Sequence, residues 1–494
     1  MLFRSRSMPP LHLSRSGSMT EIASDEVPNT SDTIFPKPIV VRHGDGLDES
    51  LSEEESELEA PDVDTKPEGD GADSDDDGVI EAPNWPIDDI FDPTDYGMDM
   101  SRRLLHWGPL LALTLIAIIG TCTTIVAANY APPLDSLFGF INLAVFFYSN
   151  YSALTNFLEA VRHGGGYVKP GYTPPKEIRE NLQFCMVCKG YKVPRSHHCS
   201  KCNRCVLKMD HHCPWLNSCV GHRNHAFFIK FIISAVLGSL HAMIFQVSIV
   251  SYTIYLHLYY PPSALRYAPI TEVPIIITAM VGGALASGVA VATTPLLYFQ
   301  LKVIQRNMTH IEDYICAKAD VRHRKTPFKY PYDLGWKRNF IEVLFNGRYP
   351  NGNGIWWPIV KGCDQFTFSN EQIAQKLVKQ RFAKIRTIAK DYDGGVCLGA
   401  CRFGIAAFCC QSCADGRRIA VKVGDHVAVT RGNKRWVYAK KVEKRTFADN
   451  EGNIQVVYEA TAHEARGWFP RECILTLAAA KAAEENEAEE KKER

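Results

Sequence analysis

The sequence predicts an α-helical integral membrane protein with four transmembrane helices, a Cys-rich domain between the second and third helices, and a small C-terminal β-barrel. Three observations lead to this prediction. The 494-residue chain contains four long stretches without Asp, Glu, Lys or Arg, and seven cysteines and four histidines crowd into residues 185–219. Short segments of alternating apolar residues follow residue 416. A secreted disulfide scaffold is not expected, because cysteines mixed with histidines are typical of metal or catalytic chemistry in a reducing compartment.

The N-terminal region, residues 1–95, is predicted to be disordered and acidic. Residues 1–100 hold 26 acidic and 6 basic side chains, so the formal net charge of zero conceals an acidic excess at this end. A segment of this composition buries too little apolar surface to offset the entropy lost on ordering. The opening residues also lack the apolar core of a signal peptide. We therefore expect a solvated acidic spacer.

The uncharged stretches predict four membrane-spanning helices. They are residues 104–134, 136–158, 231–265 and 273–301. Each exceeds the roughly 20 residues that a spanning helix needs, which places helices 1 and 2 within residues 104–158 and helices 3 and 4 within residues 227–301. Asn142, Asn150 and Asn156 interrupt the second stretch. Asparagines in a span either form interhelical hydrogen bonds or line a cavity, and the sequence leaves both alternatives open.

Basic residues near the helix ends predict the orientation. Two arginines precede the first helix, four bases follow the second, and Lys302 and Arg306 follow the fourth. The two links on the opposite side contain a single base, Arg266. Because Lys and Arg accumulate on the cytosolic side of a membrane, both termini and the loop at residues 159–226 are expected to be cytosolic.

This loop contains enough metal-ligating side chains for two zinc sites. The candidates are Cys185, Cys188, His197, His198, Cys199, Cys202, Cys205, His211, His212, Cys213 and Cys219. A structural zinc takes four ligands, so two sites use eight of the eleven candidates. Adjacent side chains diverge, so we expect one histidine of each neighbouring pair to turn away from a given metal, and His198 and Cys199 to serve different zincs. Spacing alone leaves the full assignment open, and a loop this short needs metal to fold.

With Asp210-His211-His212-Cys213 at its centre and two predicted helices on each side, the loop resembles the cysteine-rich domain of the DHHC protein S-acyltransferases, the palmitoyltransferases. The resemblance covers roughly residues 100–345. It implies a protein-cysteine S-palmitoyltransferase that moves a long-chain acyl group from acyl-CoA to cysteines of proteins.

The resemblance also implies a role for each residue of the loop. It implies that Cys213 is the nucleophile, His211 its general base and Asp210 the residue that orients the base. It implies two structural Zn²⁺ ions with separate ligand sets. One set is Cys185, Cys188, His198 and Cys205, and the other is Cys199, Cys202, His212 and Cys219.

The chemistry of acyl transfer accounts for the catalytic set. A thiolate attacks an acyl thioester, but a free cysteine with a pKa of about 8.5 is mostly a thiol at neutral pH. His211 can take the proton, and Asp210 can hold the imidazole and stabilise the imidazolium. The acyl group then rests on Cys213 before it passes to a protein cysteine, which is ping-pong catalysis. A fully ligated zinc has no open position, so the zincs are expected to be structural.

Segments beside the membrane, mainly in residues 302–345, also resemble motifs of the family. Thr309-His310-Ile311-Glu312 resembles a Thr-Thr-x-Glu segment after the fourth helix, with His310 at the second Thr, whose hydroxyl this chain lacks. Lys169-Pro170-Gly171 resembles an Asp-Pro-Gly element, and residues 330–335 with Asn339 resemble an aromatic motif. We expect these segments to pack against the zinc module.

The C-terminal third is predicted to contain an SH3-like domain at residues 416–478. Gly424-Asp425, Trp436 and Gly467-Trp468-Phe469-Pro470 resemble that domain, and two roles stay open, namely binding of a proline-rich partner and docking within the protein. The preceding linker, residues 346–415, contains cysteines that are either buried thiols or acylated membrane anchors. They are Cys397, Cys401, Cys409, Cys410 and Cys413.

The charged tail, residues 479–494, ends in Lys491-Lys492-Glu493-Arg494. Lysines at these positions of a cytosolic tail resemble the dilysine retrieval signal of endoplasmic-reticulum membrane proteins. We therefore expect a multi-pass protein of the endoplasmic-reticulum membrane with its N- and C-termini in the cytosol.

The predicted partners are the lipid bilayer, acyl-CoA, protein substrates with membrane-proximal cysteines and a possible ligand of the SH3-like domain; no nucleic acid is expected. Six bases in the loop could meet the phosphates of acyl-CoA, anionic lipids or only solvent, and the CoA site stays unassigned. They are Lys192, Arg195, Lys201, Arg204, Lys208 and Arg223. The rival interpretation is a zinc-stabilised membrane adaptor without catalysis, which would have no need of Cys213.

Overall fold

Four long apolar helices form the largest part of the fold. In the computed structural model the helices, in chain order, are α1 Met100–Leu104, α2 Trp107–Tyr130, α3 Leu137–His163, α4 Lys176–Arg179, α5 His225–Tyr259, α6 Val273–Ile304, α7 His310–Val321, α8 Trp336–Leu344 and α9 Thr367–Arg381. Of these, α2, α3, α5 and α6 are long and apolar enough to cross a membrane. The prediction of four such helices is confirmed.

The structure describes residues 39–40, 78–82, 99–261, 272–322, 327–344, 352–381, 383–395, 403, 418–433, 435–448, 454–460 and 466–474. Most of the predicted acidic spacer, the five linker cysteines and the pair Lys491-Lys492 lie outside these residues.

A polar contact joins three of the spanning helices. Gln246 of α5 is fully buried and donates its Nε2–H to Thr123 Oγ1 of α2 at 2.9 Å. Gly282 of α6 lies against the same amide, where a Cβ would overlap Gln246 Oε1. Small residues let helices approach closely, and side-chain amides then hydrogen-bond across the interface. This contact fixes the relative positions of α2, α5 and α6.

The asparagines of α3 show both of the roles left open by the sequence. Asn142 is buried, and its Oδ1 accepts a hydrogen bond from His241 Nε2 of α5 at 3.0 Å. Asn150 donates its Nδ2–H to the Ile116 carbonyl of α2 at 3.5 Å and also lines a cavity of about 350 Å³ between α2 and α3. Asn156 donates to the Ser152 carbonyl of its own helix at 2.8 Å. The first therefore joins α3 to α5, whereas the second joins α3 to α2 beside a cavity.

The strands are short except at the C-terminus. In chain order they are β1 Ile39–Val40, β2 Val79–Ile80, β3 Phe184–Cys185, β4 Gly190–Tyr191, β5 His197–Cys199, β6 Arg204–Val206, β7 His211–Cys213, β8 Ser218–Val220, β9 Ile359–Val360, β10 Lys384–Thr387, β11 His426–Gly432, β12 Trp436–Ala448, β13 Ile454–Ala460 and β14 Arg466–Pro470. The antiparallel pairs β3–β4, β5–β6 and β7–β8 form the Cys-rich domain between α3 and α5. Two pieces of the predicted spacer are strands, since β1 pairs with β13 and β2 with β9.

The C-terminal sheet has the strand order β1-β13-β12-β11-β10, with β14 also paired to β12. Trp436 and Phe469 are fully buried in its core. The predicted period-two segments lie in β11, β12 and β13. The sheet begins before the expected boundary at residue 416, because β10 pairs with β11 from inside the predicted linker.

A buried ion pair fastens the chain after α6 to the hairpins. The Arg195 guanidinium donates to the Glu312 carboxylate of α7 at 2.7 and 2.8 Å, and Tyr330 donates its hydroxyl to the same carboxylate at 2.9 Å. The guanidinium also lies over the Tyr332 and Trp357 rings, 4.3 and 4.6 Å from their centroids. Burial raises the pKa of Glu312, but Arg195 outweighs that effect and lowers it. The pair therefore stays ionised.

We predict that Glu312→Gln strongly lowers the thermal stability of the protein. The substitution leaves the Arg195 charge buried without its counter-ion, which costs about 3–5 kcal/mol. Arg306→Gln is the matched control, because it removes an ion pair whose side chains are 54 % and 36 % exposed and which contributes about 1 kcal/mol or less. Thermal melting in detergent micelles, followed by size-exclusion chromatography, measures both. Equal melting temperatures for the two variants would contradict this account.

Candidate active site and metal centres

The three hairpins repeat one pattern every 14 residues. Each begins its turn with a cysteine, and four residues later the backbone takes a positive φ. The cysteines are Cys185, Cys199 and Cys213, and the residues with positive φ are Lys189 at 50°, Asn203 at 54° and Asn217 at 47°. The same 14 residues separate His198 from His212 and Cys205 from Cys219. The repeat therefore places like residues at like positions of successive hairpins.

Two groups of four side chains could each hold a metal ion. They are Cys185, Cys188, His198 and Cys205, and Cys199, Cys202, His212 and Cys219. The sulfurs lie 3.3 to 4.0 Å from His198 Nδ1 in the first group and 3.4 to 3.7 Å from His212 Nδ1 in the second. A tetrahedral zinc at about 2.3 Å from sulfur and about 2.0 Å from nitrogen separates these atoms by about 3.6 Å. Both groups therefore fit Zn²⁺.

Each group joins two successive hairpins. The first takes two cysteines from the β3–β4 turn and the cross-strand pair His198 and Cys205 from β5–β6. The second takes two cysteines from the β5–β6 turn and the pair His212 and Cys219 from β7–β8. His198 and Cys199, which are adjacent in sequence, belong to different groups. The two groups thus tie the three hairpins in series.

The third turn has only part of this ligand set. Leu216, which is fully buried, stands where the earlier turns have Cys188 and Cys202. After β8 the described chain enters α5 rather than a fourth hairpin, so no further cross-strand pair follows. Cys213 therefore belongs to neither four-residue group.

Cys213 lies beside a histidine–aspartate pair. His211 Nδ1 is 2.7 Å from Asp210 Oδ2, and the His211 ring interacts with the Cys213 side chain. Burial lowers the pKa of His211, but the hydrogen bond to Asp210 and the nearby Cys213 raise it to about 10. Burial likewise raises the pKa of Asp210, yet hydrogen bonds from His211 and His310 hold it well below its usual range. The Asp210 carboxylate thus binds one ring nitrogen of His211 and stabilises the imidazolium form of the ring, which also interacts with Cys213.

Two further residues that bind Asp210 were not predicted as site residues. Gln300 of α6 donates its Nε2–H to Asp210 Oδ2 at 2.8 Å, and His225 of α5 lies 3.2 Å from the other end of that amide. His310 donates its backbone N–H and approaches with Nδ1, at 2.7 and 2.9 Å from Oδ1. Its position in the Thr-His-Ile-Glu segment was the one available signal, whereas Gln300 gave none in the sequence.

The nucleophile candidate sits where the hairpins meet the spanning helices. Cys213 is 3 % exposed and belongs to one apolar cluster with Ala112 of α2, Phe157 of α3 and Phe228 of α5. Gly108, in the first turn of α2, has no room for a Cβ because the Pro214 carbonyl lies against it. An apolar acyl chain on Cys213 would therefore begin next to the membrane-spanning part of the fold.

Two of the six bases in the Cys-rich domain are internal. Arg195 and Lys208 are 2 % and 4 % exposed, and Lys208 donates its Nζ–H to Asn307 at 2.6 Å. Arg195 is engaged with Glu312. Neither side chain is available at the surface for the phosphates of acyl-CoA.

Comparisons with known proteins identify the family. The DHHC palmitoyltransferase family model matches residues 178–317. Palmitoyltransferase ZDHHC6 of Mus musculus is 36 % identical over 390 residues, which is 76 % of this chain and 91 % of that protein. The chain belongs to the DHHC palmitoyltransferase family. Palmitoyltransferase ZDHHC6 of Homo sapiens is 36 % identical over 396 residues, and Probable protein S-acyltransferase 13 of Arabidopsis thaliana is 30 % identical over 263 residues, with 48 % of this chain and 81 % of that protein covered.

As a DHHC palmitoyltransferase, the protein is a multi-pass membrane enzyme that transfers acyl groups to proteins. The family prediction from the DHHC segment and its flanking helices is confirmed. The rival adaptor interpretation is set aside, because the relatives are named as transferases. The residues predicted as zinc ligands come together in two groups, and those predicted as catalytic meet at the third hairpin.

Proposed function

We propose that this DHHC palmitoyltransferase works through an acyl-enzyme on Cys213. His211 takes the Cys213 thiol proton and holds it as an imidazolium, and the Cys213 thiolate attacks the thioester carbonyl of acyl-CoA. The bond between the carbonyl carbon and the CoA sulfur breaks, and the leaving CoA thiolate takes the proton from His211. A protein cysteine then gives its proton to His211 and attacks the Cys213 thioester, which transfers the acyl group and restores Cys213 as a thiol.

The observation that carries the proposal is the position of Cys213. It lies outside both four-residue groups, and it stands beside a His211 whose far nitrogen is held by an ionised Asp210. A nucleophile, a base and an orienting carboxylate within hydrogen-bond reach are the requirements for covalent catalysis. A thiol that served only as a metal ligand would have no use for this pair.

The eight Cys and His side chains of the two four-residue groups would bind two structural Zn²⁺ ions. Each group offers four protein donors, so a bound ion is fully ligated and has no position for substrate. The metals would hold the hairpins in register and supply folding energy, because the module is too small to bury a sufficient core alone.

The Cys-rich domain would face the cytosol. An even number of spanning helices returns the chain to the side on which it began, and the bases at that side include Arg162, Lys302 and Arg306. Substrate cysteines would then approach from the cytosol, close to the membrane surface. We further propose residence in the endoplasmic-reticulum membrane, on the resemblance of Lys491 and Lys492 to a dilysine signal.

We propose that the C-terminal sheet is an SH3-like barrel with a docking role. Proline-rich ligands bind in an exposed aromatic groove, but Trp436 and Phe469 are fully buried and Trp468 is 7 % exposed. The residues that resemble the SH3 pattern therefore form a core, which supports docking within the protein over capture of a proline-rich partner.

We predict that Cys213→Ser abolishes the covalent acyl-enzyme and leaves about two zincs per chain. His211→Ala should also keep the zincs but slow acyl loading by about 10²- to 10⁴-fold, the usual contribution of a general base. Cys199→Ser should instead lose metal together with folding, because it removes a ligand. Incubation with radiolabelled palmitoyl-CoA measures loading, and elemental analysis of the same preparations measures zinc.

Cys363→Ser is the matched control, since this half-buried cysteine lies outside both metal groups. It should load acyl groups and hold zinc like the unmodified protein. Cys213→Ser protein that loses zinc, or that still transfers acyl groups at the original rate, would overturn the assignment.

We predict that an N-glycosylation sequon in a flexible insert is modified between residues 262 and 271 but not between residues 345 and 351. The first segment joins α5 to α6 on the side opposite the Cys-rich domain, whereas the second would be cytosolic. Glycosidase-sensitive mobility shifts in expressed protein distinguish the two positions. Modification of the second insert, or of neither, would count against the proposed orientation.

A further inference from the structure

The Asp210 carboxylate is held from both sides. Its Oδ2 accepts hydrogen bonds from His211 Nδ1 at 2.7 Å and from Gln300 Nε2 at 2.8 Å. Its Oδ1 lies 2.7 Å from the backbone nitrogen of His310 and 2.9 Å from the His310 Nδ1. Asp210 is 1 % exposed, so protein donors, rather than water, determine how the carboxylate is oriented.

The start of α7 fixes the place of His310. Thr309 and Glu312 form a reciprocal capping box around it, and Glu312 is in turn held by the buried Arg195. The backbone N–H of a residue in the first helical turn points out of the helix end, where it attracts a negative charge. The backbone and the ring of His310 therefore reach the same carboxylate oxygen.

The ring contributes something that the backbone bond alone does not supply. The last torsion of an aspartate side chain is soft, so the orientation of the carboxylate plane depends on the donors at its two oxygens. Without the ring, Oδ2 keeps two donors, whereas the backbone N–H of His310 is the one donor described at Oδ1. Rotation of the carboxylate plane would move Oδ2 away from His211. The imidazole that accepts the Cys213 proton would then lose the contact that orients it. A second donor on Oδ1 opposes that rotation, and small displacements of catalytic groups cost rate.

The donor atoms of Asp210, His211 and His310 also lie close enough together to hold a metal ion. However, both Nδ1 atoms and both carboxylate oxygens already take part in hydrogen bonds within the protein. The two imidazole rings stand perpendicular to each other, on different oxygens of one carboxylate. This arrangement favours positioning over metal binding.

We propose that His310 is a positioning residue for acyl transfer: its ring N–H holds the Asp210 carboxylate in the plane that keeps Oδ2 on His211 while the base takes the Cys213 proton. This inference rests on the function proposed above for Asp210, His211 and Cys213. The inference assigns the second hydrogen bond on Asp210 Oδ1 to the imidazole of His310.

Two substitutions at His310 test the proposal. His310→Asn keeps a side-chain N–H close to the position of Nδ1, whereas His310→Ala removes it. In single-turnover loading with palmitoyl-CoA, the alanine variant should be slowed about tenfold or more, the effect of losing a hydrogen bond to a charged group. The asparagine variant should recover most of the rate, and neither variant should change the apparent KM for palmitoyl-CoA by more than about twofold. Tyr314→Ala, on an exposed face of α7, is the matched control and should load normally.

A double-variant cycle separates positioning from a general structural effect. If His310 acts through Asp210 and His211, His310→Ala should have little further effect on loading in a His211→Ala background. The proposal would be overturned if His310→Ala slowed loading as much in the His211→Ala background as in the unmodified protein. It would also be overturned if the asparagine variant loaded as slowly as the alanine variant. A zinc content that falls from about three to about two per chain in His310→Ala would instead indicate a metal site and would overturn it as well. Persistent loading of Cys213→Ser protein is a different result, because it would refute the proposed acyl-enzyme itself.

Discussion

The sharing of candidate metal ligands between neighbouring hairpins is the constraint on which the positions of the proposed catalytic residues depend. Each four-residue group takes two cysteines from one turn and a cross-strand His–Cys pair from the next hairpin. A bound metal would therefore fix the position of one hairpin relative to the next. Because strands of two or three residues provide few backbone hydrogen bonds, bound metal would contribute much of the stability of this arrangement. Asp210, His211 and Cys213 lie on or beside the hairpin that ends the series, so their place is set by both groups together.

A second set of contacts ties that hairpin to the chain that follows the spanning helices. Arg195 and Glu312 meet across more than a hundred residues of sequence, and the same short helix that carries Glu312 presents His310 to Asp210. The ion pair is costly to bury, so its hydrogen-bonded and stacked neighbours, which include Tyr330, Tyr332 and Trp357, help to keep it ionised. The stability of the fold and the geometry of the Asp210 carboxylate thus depend on one segment. A substitution that destabilises α7 should therefore disturb the orientation of Asp210 before the hairpins themselves unfold.

Local patterns were sufficient for much of this fold. Missing charges identified the four long helices. The number of Cys and His side chains predicted two zinc sites, and the family resemblance supplied the ligands of each. The 14-residue repeat was also visible in the sequence, and Leu216 in place of a cysteine would have singled out Cys213 without any family resemblance. Contacts between distant segments were harder. Gln300 binds Asp210 across 90 residues of sequence. Arg195 and Lys208 were interpreted as surface bases, because the residues that they bind in the interior lie in later segments of the chain. The strand β10 was missed because its partner follows after a long interval.

The contact between Gly108 and Pro214 links Cys213, the proposed nucleophile, to the bilayer. The Pro214 carbonyl rests on the first turn of α2 at a position that tolerates only glycine, and Cys213 is the neighbouring residue. A spanning helix responds to hydrophobic mismatch by tilting, and the end of a tilting helix moves along the membrane normal. The depth of the sulfur of this proposed nucleophile is therefore coupled to the thickness of the surrounding lipid, which would in turn limit the substrate cysteines that it can reach.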